Sequence, residues 1–203
     1  MRNIFYVLFS FVLVATSVNA ENIKGNNNRV IGVKVGDIAP SIALKNTNGK
    51  IIQLAETRGK LVLLDFWASW CAACRRENPN VVRVYNKFKD SKLAAGNGFI
   101  VFSVSLDGLV DRQGNPKQLN AKFEWMNAIK QDKLSWKYHV SELKGWNSKV
   151  YRDFGVRSIP SNFLIDKDGV IVGKNLRGIE LYQAVKLAEK YSGDKLIEKI
   201  SNL

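Results

Sequence analysis

Cysteine and histidine are nearly absent from this chain, which has two Cys and one His in 203 residues. A zinc site takes about four ligands of these kinds, so the donors for a metal are too few. Covalent haem attachment needs His directly after Cys-x-x-Cys, and Arg75 stands there. Scattered disulfides are excluded as well, because both thiols fall in Cys71-Ala72-Ala73-Cys74, and the fold has to be held by its core. The chain also lacks any block of five or more Lys and Arg. Its 31 basic and 18 acidic residues, a net charge of +13, are spread along the sequence, which suits encounter with partner proteins better than nucleic-acid binding. No internal repeat is present.

The apolar run near the start is too short to cross a bilayer, which takes about 20 residues. Met1-Arg2-Asn3 is basic, Ile4 to Val14 is almost wholly apolar, and Ser17-Val18-Asn19-Ala20 ends in small residues, the pattern of a cleaved secretory signal. Residues 1–20 are expected to be that signal peptide, with an uncleaved anchor as the alternative. Their loss leaves a net charge of +12. Export would place the thiols in a periplasmic, disulfide-permissive compartment. Residues 21–34 are expected to form a polar tether followed by an edge strand from Val30 to Val35. Residues 35–203, with 46% hydrophobic content overall, suffice for one domain with a full core.

Leu61 to Pro79 organises that domain. Leu61 to Trp67 is apolar on both faces except at Asp65, the pattern of a strand covered on two sides. After Ala68-Ser69-Trp70, Cys71 opens a segment of helix formers predicted to reach about Lys89, with Val81, Val82, Val84, Tyr85 and Phe88 on its core face and a kink at Pro79. A thiol at a helix N-terminus meets unpaired N–H groups and the positive end of the dipole, and Arg75 and Arg76 add charge. Such surroundings lower a thiol pKa from about 8.5 to roughly 3.5–7.5. Cys71 is therefore the candidate nucleophile, and Cys74, one turn on, the thiol that resolves a mixed disulfide. A purely structural bond over so short a loop would restrict the unfolded chain little, and is the alternative.

The remaining pattern is alternately clear and obscure. Asn46-Thr47-Asn48-Gly49 marks a hairpin turn, and Phe99 to Leu106 a second buried strand in a parallel pair with the first. Lys89 to Gly98 is read as a polar loop. Lys117 to Gln131 is amphipathic through Leu119, Phe123, Met126 and Ile129. Leu134 to Trp146 is aromatic without a clear period; its Trp136, Tyr138 and Trp146 are expected in a core, and His139 in a structural role. Asn147 to Phe154 is a short helix ended by Gly155, Ser161 to Ile165 and Val170 to Lys174 form a hairpin, and Gly178 to Ser192 is a closing helix with Asp194 to Ile200 as its expected continuation.

Trp70-Cys71-Ala72-Ala73-Cys74, Pro79 and the distant Ile159-Pro160 resemble the thioredoxin fold, and the wider pattern resembles exported thiol-disulfide oxidoreductases of the TlpA/ResA type. The resemblance spans about residues 35–190. It implies an α/β fold, a central mixed sheet flanked by helices, with an N-terminal β-hairpin and an insertion after the second core strand. It implies a cis Pro160 beside the cysteines, Ile159 pairing with a substrate backbone and Trp70 walling the site, while Trp67 fills the core. Asp65 matches the buried acid that takes the proton of Cys74, the alternative being an acid rescued by a lysine at the strand edge. Glu77 resembles a helix glutamate that tunes the thiols, or is a solvated helix acid. No cofactor and no metal are implied. The partners implied are exported cysteine-containing proteins and a membrane thiol electron donor, for a monomeric protein. Ala72-Ala73 departs from both families and leaves the direction of electron flow open. A thiol peroxidase of related fold would carry Pro and Thr or Ser where Leu64 and Ala68 stand; a non-catalytic peptide-binding module is the other alternative.

Overall fold

A computed structural model describes residues 29–203; the expected signal peptide, and the tether up to residue 28, lie outside the described residues. The domain opens with a hairpin of β1 (Ala43–Lys45) and β2 (Ile51–Gln53). Its turn is closed by Asn46 Oδ1, which accepts the N–H groups of Asn48 and Lys50. β3 (Leu61–Trp67) leads into α1 (Ala72–Phe88), which continues through Pro79 as one element. A small hairpin, β4 (Lys92–Leu93) and β5 (Gly96–Asn97), interrupts the predicted polar loop before β6 (Phe99–Ser105). α2 (Ala121–Gln131), β7 (Tyr138–Ser141) and α3 (Lys149–Asp153) follow, then the hairpin of β8 (Ser161–Ile165) and β9 (Ile171–Lys174), and last α4 (Gly178–Leu187) and α5 (Gly193–Ile200).

The main sheet has the order β7-β6-β3-β8-β9, with β7, β6 and β3 parallel and β8 and β9 antiparallel to their neighbours. Every residue of β3 is buried, as a strand paired on both edges and covered on both faces requires. Successive side chains point to opposite faces. Phe66 therefore enters the layer containing α3, where its ring meets Tyr151 at 5.1 Å and Phe154 at 5.4 Å. Burying such a ring contributes about 1.5–3 kcal/mol. Leu63, Asp65 and Trp67 face the other way, toward α1 and α4, which pack together through Phe88 and Tyr182.

Several expectations are corrected. Val30–Val35 is not a strand: the Ile38 N–H bonds back to the Val30 carbonyl, and the chain meets the sheet edge through Gly36 and Asp37, which bond to Ile171. Gly36, at φ +97°, permits this fold-back. Of the predicted apolar face Leu119, Phe123, Met126 and Ile129, Leu119 stands before α2 and Ile129 packs against the core, while Phe123 and Met126 do not. Leu119 is 85% and Phe123 70% exposed, Met126 is exposed too, and Trp125 and Ala128 are buried instead. The helix carries two apolar stripes, and polar ties at its ends, Gln118 to Asp107 and Asp132 to Arg75, decide which one turns inward. β7 was illegible because its buried residues include His139 and Ser141, the latter's hydroxyl donating to the Ser105 carbonyl. Trp136 is buried as expected, but Trp146 is 44% exposed and lies edge-on to Tyr151. The closing helix stops at Leu187, short of Ser192, and the expected continuation is a separate helix, α5.

Candidate active site

The connection from β3 to α1 is held from behind. The Leu106 N–H donates to the Trp67 carbonyl at 2.8 Å, and the buried Asp107 accepts the Ser69 N–H at 3.1 Å and also the Ser69 hydroxyl. Asp107 takes further bonds from the Ser105 hydroxyl and from Gln118 Nε2, the latter at 2.5 Å. Gly108 lets the chain turn here: at φ +98°, a Cβ on it would stand 2.2 Å from the Leu143 carbonyl oxygen.

Cys71 is the N-cap of α1, and its sulfur accepts the Cys74 N–H at 3.1 Å. The two cysteines form a disulfide, with Cα atoms 5.2 Å apart. When the bond is reduced, that N–H and the helix dipole favour a thiolate on Cys71. Cys71 is 6% exposed and Cys74 1%, so an incoming sulfur reaches Cys71 first. Trp70, Ala72 and Ala73 are exposed around it. Arg75 does not serve as a free charge beside the thiol. Its guanidinium grips Asp132 with Nε and Nη2, donates from Nη2 to Gln131 at 3.0 Å, and reaches the Ser69 carbonyl with Nη1 at 3.2 Å. Paired with a carboxylate at the end of α2, it is spent on docking that helix. Arg76 is exposed.

Asp65 is buried in β3, opposite Ser103 of β6 and Asn162 of β8. Burial pushes its carboxyl up to about 7; the Arg177 guanidinium pulls it down and the Glu77 carboxylate adds to the rise. Glu77 is half-buried and accepts the Gly178 N–H at 2.8 Å and Asn80 Nδ2 at 3.1 Å, so it caps α4 and is not a solvated acid.

The Ile159–Pro160 peptide bond is cis. Pairing of Phe66 with Ser161 brings Pro160 to the end of the sheet from which the Ala68–Trp70 connection departs. Pro160 offers its carbonyl to Arg177 Nη2, and a groove of about 360 Å³ lined by Gly155, Arg157, Ser158, Pro160 and Arg177 opens beside it. Ile159 is partly buried against the core. His139 lies on β7, stacks on Trp136 at 5.5 Å and shares a hydrogen bond with the Leu134 carbonyl; burial pulls its imidazole down to about 4. Among the described residues no group of three or more His, Cys, Asp and Glu is placed to hold a metal ion, and no helix is long and apolar enough to cross a membrane.

Sequence reasoning missed Arg177, Asp107 and Gln118. Each acts across dozens of residues or from an irregular segment, and no local pattern marks any of them.

Residues 35–174 match the AhpC/TSA family. The chain is similar to the thiol-disulfide oxidoreductase ResA of Bacillus cereus, 30% identical over 142 residues that make up 70% of this chain and 69% of that protein. ResA of Bacillus subtilis is 33% identical over 140 residues, 69% of this chain and 66% of that one. Among solved structures, the thioredoxin domain of a thiol-disulfide oxidoreductase from Bacteroides vulgatus superimposes with a TM-score of 0.61 at 33% identity, covering 76% of this chain and 97% of that one.

Proposed function

The chain belongs to the AhpC/TSA family and is a thiol-disulfide oxidoreductase of the thioredoxin fold, and from that premise we propose that it reduces disulfides of exported proteins in the periplasm. The observation that carries this reading is the Cys71–Cys74 bond at the head of α1, with the less buried sulfur on the outer side. The thiolate of Cys71 attacks a substrate disulfide, forms a mixed disulfide and releases one substrate thiolate, which takes a proton from solvent. Asp65 accepts the proton of Cys74, and Cys74 attacks the Cys71 sulfur. That step forms the internal bond and releases the second substrate thiolate, which is protonated in turn. Two electrons pass from the dithiol to the substrate, and a membrane thiol donor restores them.

Trp70 and the Ile159-Pro160 backbone flank the substrate segment, and Glu77 keeps the cysteine helix in place against α4. The secretory pattern of residues 1–20 supports the periplasmic location, and the protein acts as a monomer. A Cys74→Ser variant tests the reading by trapping clients on Cys71 as mixed disulfides. Capture of exported cysteine-containing proteins, released by dithiothreitol, is the expected result. Failure of the reduced wild type to exchange with any disulfide would overturn it, and peroxide consumption dependent on Cys71 would replace it with a peroxidase.

A further inference from the structure

Two hydrogen bonds converge on the dipeptide Arg177-Gly178. The Gly178 N–H donates to Glu77 Oε1 at 2.8 Å, and Glu77 sits on α1 one turn beyond Cys74. Arg177 donates through Nη2 to the Pro160 carbonyl. The dipeptide thus ties the cysteine helix to the proline that precedes β8. The other terminal nitrogen of the same guanidinium, Nη1, is buried and has no hydrogen-bond partner among the described residues. An unsatisfied buried donor is uncommon and calls for a reason.

The reason lies in what shares the space. Asn162, the cross-strand partner of Asp65, bonds through its side-chain amide to the Leu176 N–H at 3.0 Å and the Leu176 carbonyl at 2.8 Å, which sets the next residue, Arg177, on the Asp65 side of the sheet, and the charges that act on Asp65 are Arg177 and Glu77 of α1. From α3, Tyr151 feels the Asp65 charge, but burial pushes its phenol well above the usual range, so it stays neutral. The strand neighbours Ser103 and Asn162 carry no charge, and the remaining titratable groups are the two cysteines once reduced. Among the described residues, Arg177 is therefore the cation set against a buried acid and a second carboxylate.

We propose that Arg177 is a positioning residue for thiol-disulfide exchange: it holds the Pro160 carbonyl to the cysteine helix and favours the carboxylate form of Asp65, the form that takes the Cys74 proton. The chemistry rests on the reading of Asp65 as base given above. The S–H proton of Cys74 moves to the Asp65 carboxylate as the Cys74 sulfur bonds to Cys71, and the Cys71–substrate bond breaks with its electron pair leaving on the substrate thiolate. With the guanidinium removed, burial and Glu77 act unopposed, Asp65 stays protonated at neutral pH, and the base is lost.

Single-turnover oxidation of the reduced protein by a peptide disulfide, followed by tryptophan fluorescence between about pH 5 and about pH 9, tests this. Arg177→Gln should shift the acid limb of the resolving phase upward by about one pH unit, slowing it about tenfold below the limb, and raise the peptide KM. Arg177→Lys should restore the limb. Glu77→Gln retains an acceptor for the Gly178 N–H but loses the negative charge, and should shift the limb the other way. A purely structural role for Arg177 would lower activity without moving the limb. If Asp65→Asn abolishes the limb while Arg177→Gln leaves it in place, the proposal falls and the base assignment stands. If Asp65→Asn leaves the limb unchanged, the base assignment falls and takes the proposal with it.

Discussion

Asp107 holds Ser69 at two points, accepting its backbone N–H at 3.1 Å and its hydroxyl, and so anchors the three-residue connection that delivers Cys71 to the head of α1. The anchor stands 36 residues beyond Cys71 in the chain, at the end of the neighbouring parallel strand, because a parallel pair brings the ends of β3 and β6 to the same edge of the sheet.

Removal of that carboxylate should be felt in stability before chemistry. Asp107→Ala leaves the Ser69 N–H and the Ser69 and Ser105 hydroxyls short of an acceptor in a buried site, while Gln118 Nε2 keeps Glu124. Each unsatisfied group costs about 1–3 kcal/mol, partly relieved by water entering the space. A loss of roughly 2–5 kcal/mol in urea unfolding is expected, with slower exchange at Cys71 as the connection loosens.

The thiols should differ sharply in reactivity. In the reduced protein, Cys71 should alkylate rapidly with iodoacetamide, while Cys74, the more buried sulfur, stays unlabelled until the protein unfolds. Mass mapping after brief alkylation at neutral pH checks this, and equal labelling of both would contradict it.

Asp65 and His139 set opposing pH dependences. The folded carboxyl of Asp65 lies at about 7 against 3.8 unfolded, so the native state binds its proton more tightly and loses stability as pH rises through that window. The full effect is on the order of 4 kcal/mol. His139 lies at about 4 against 6.5, so stability is lost instead as pH falls from 6.5 toward 4. Asp65→Asn should gain about 2–4 kcal/mol near pH 8 and expose the His139 slope below about pH 6.5 in urea titrations.

Orientation of α2 can be read from two substitutions. Trp125→Ala empties a buried site and should cost about 3–5 kcal/mol. Phe123→Ser, two residues away on the exposed stripe, should change stability by no more than about 0.5 kcal/mol. The reverse ranking would mean that the helix packs on its other face.

Much of this was legible in the sequence wherever the determining interactions are local. The apolar run of β3, the Asn-Gly turn of the first hairpin, the hairpin of β8 and β9, and the placing of Cys71 at a helix start all follow from periodicity, turn chemistry and spacing within a few residues. Asp65 stood out because a carboxylate inside an apolar strand is anomalous at any distance from its partners. Tertiary structure decided the rest. It turned Arg75 from the thiol to Asp132, chose Trp125 over Phe123 for the core, made a sheet strand of a segment whose buried His139 and Ser141 hide its period, and brought Arg177 and Glu77 to bear on Asp65. The physical reason is range: hydrogen bonds and hydrophobic contacts within one or two turns imprint a period on the sequence, whereas a charge paired across a hundred residues imprints none.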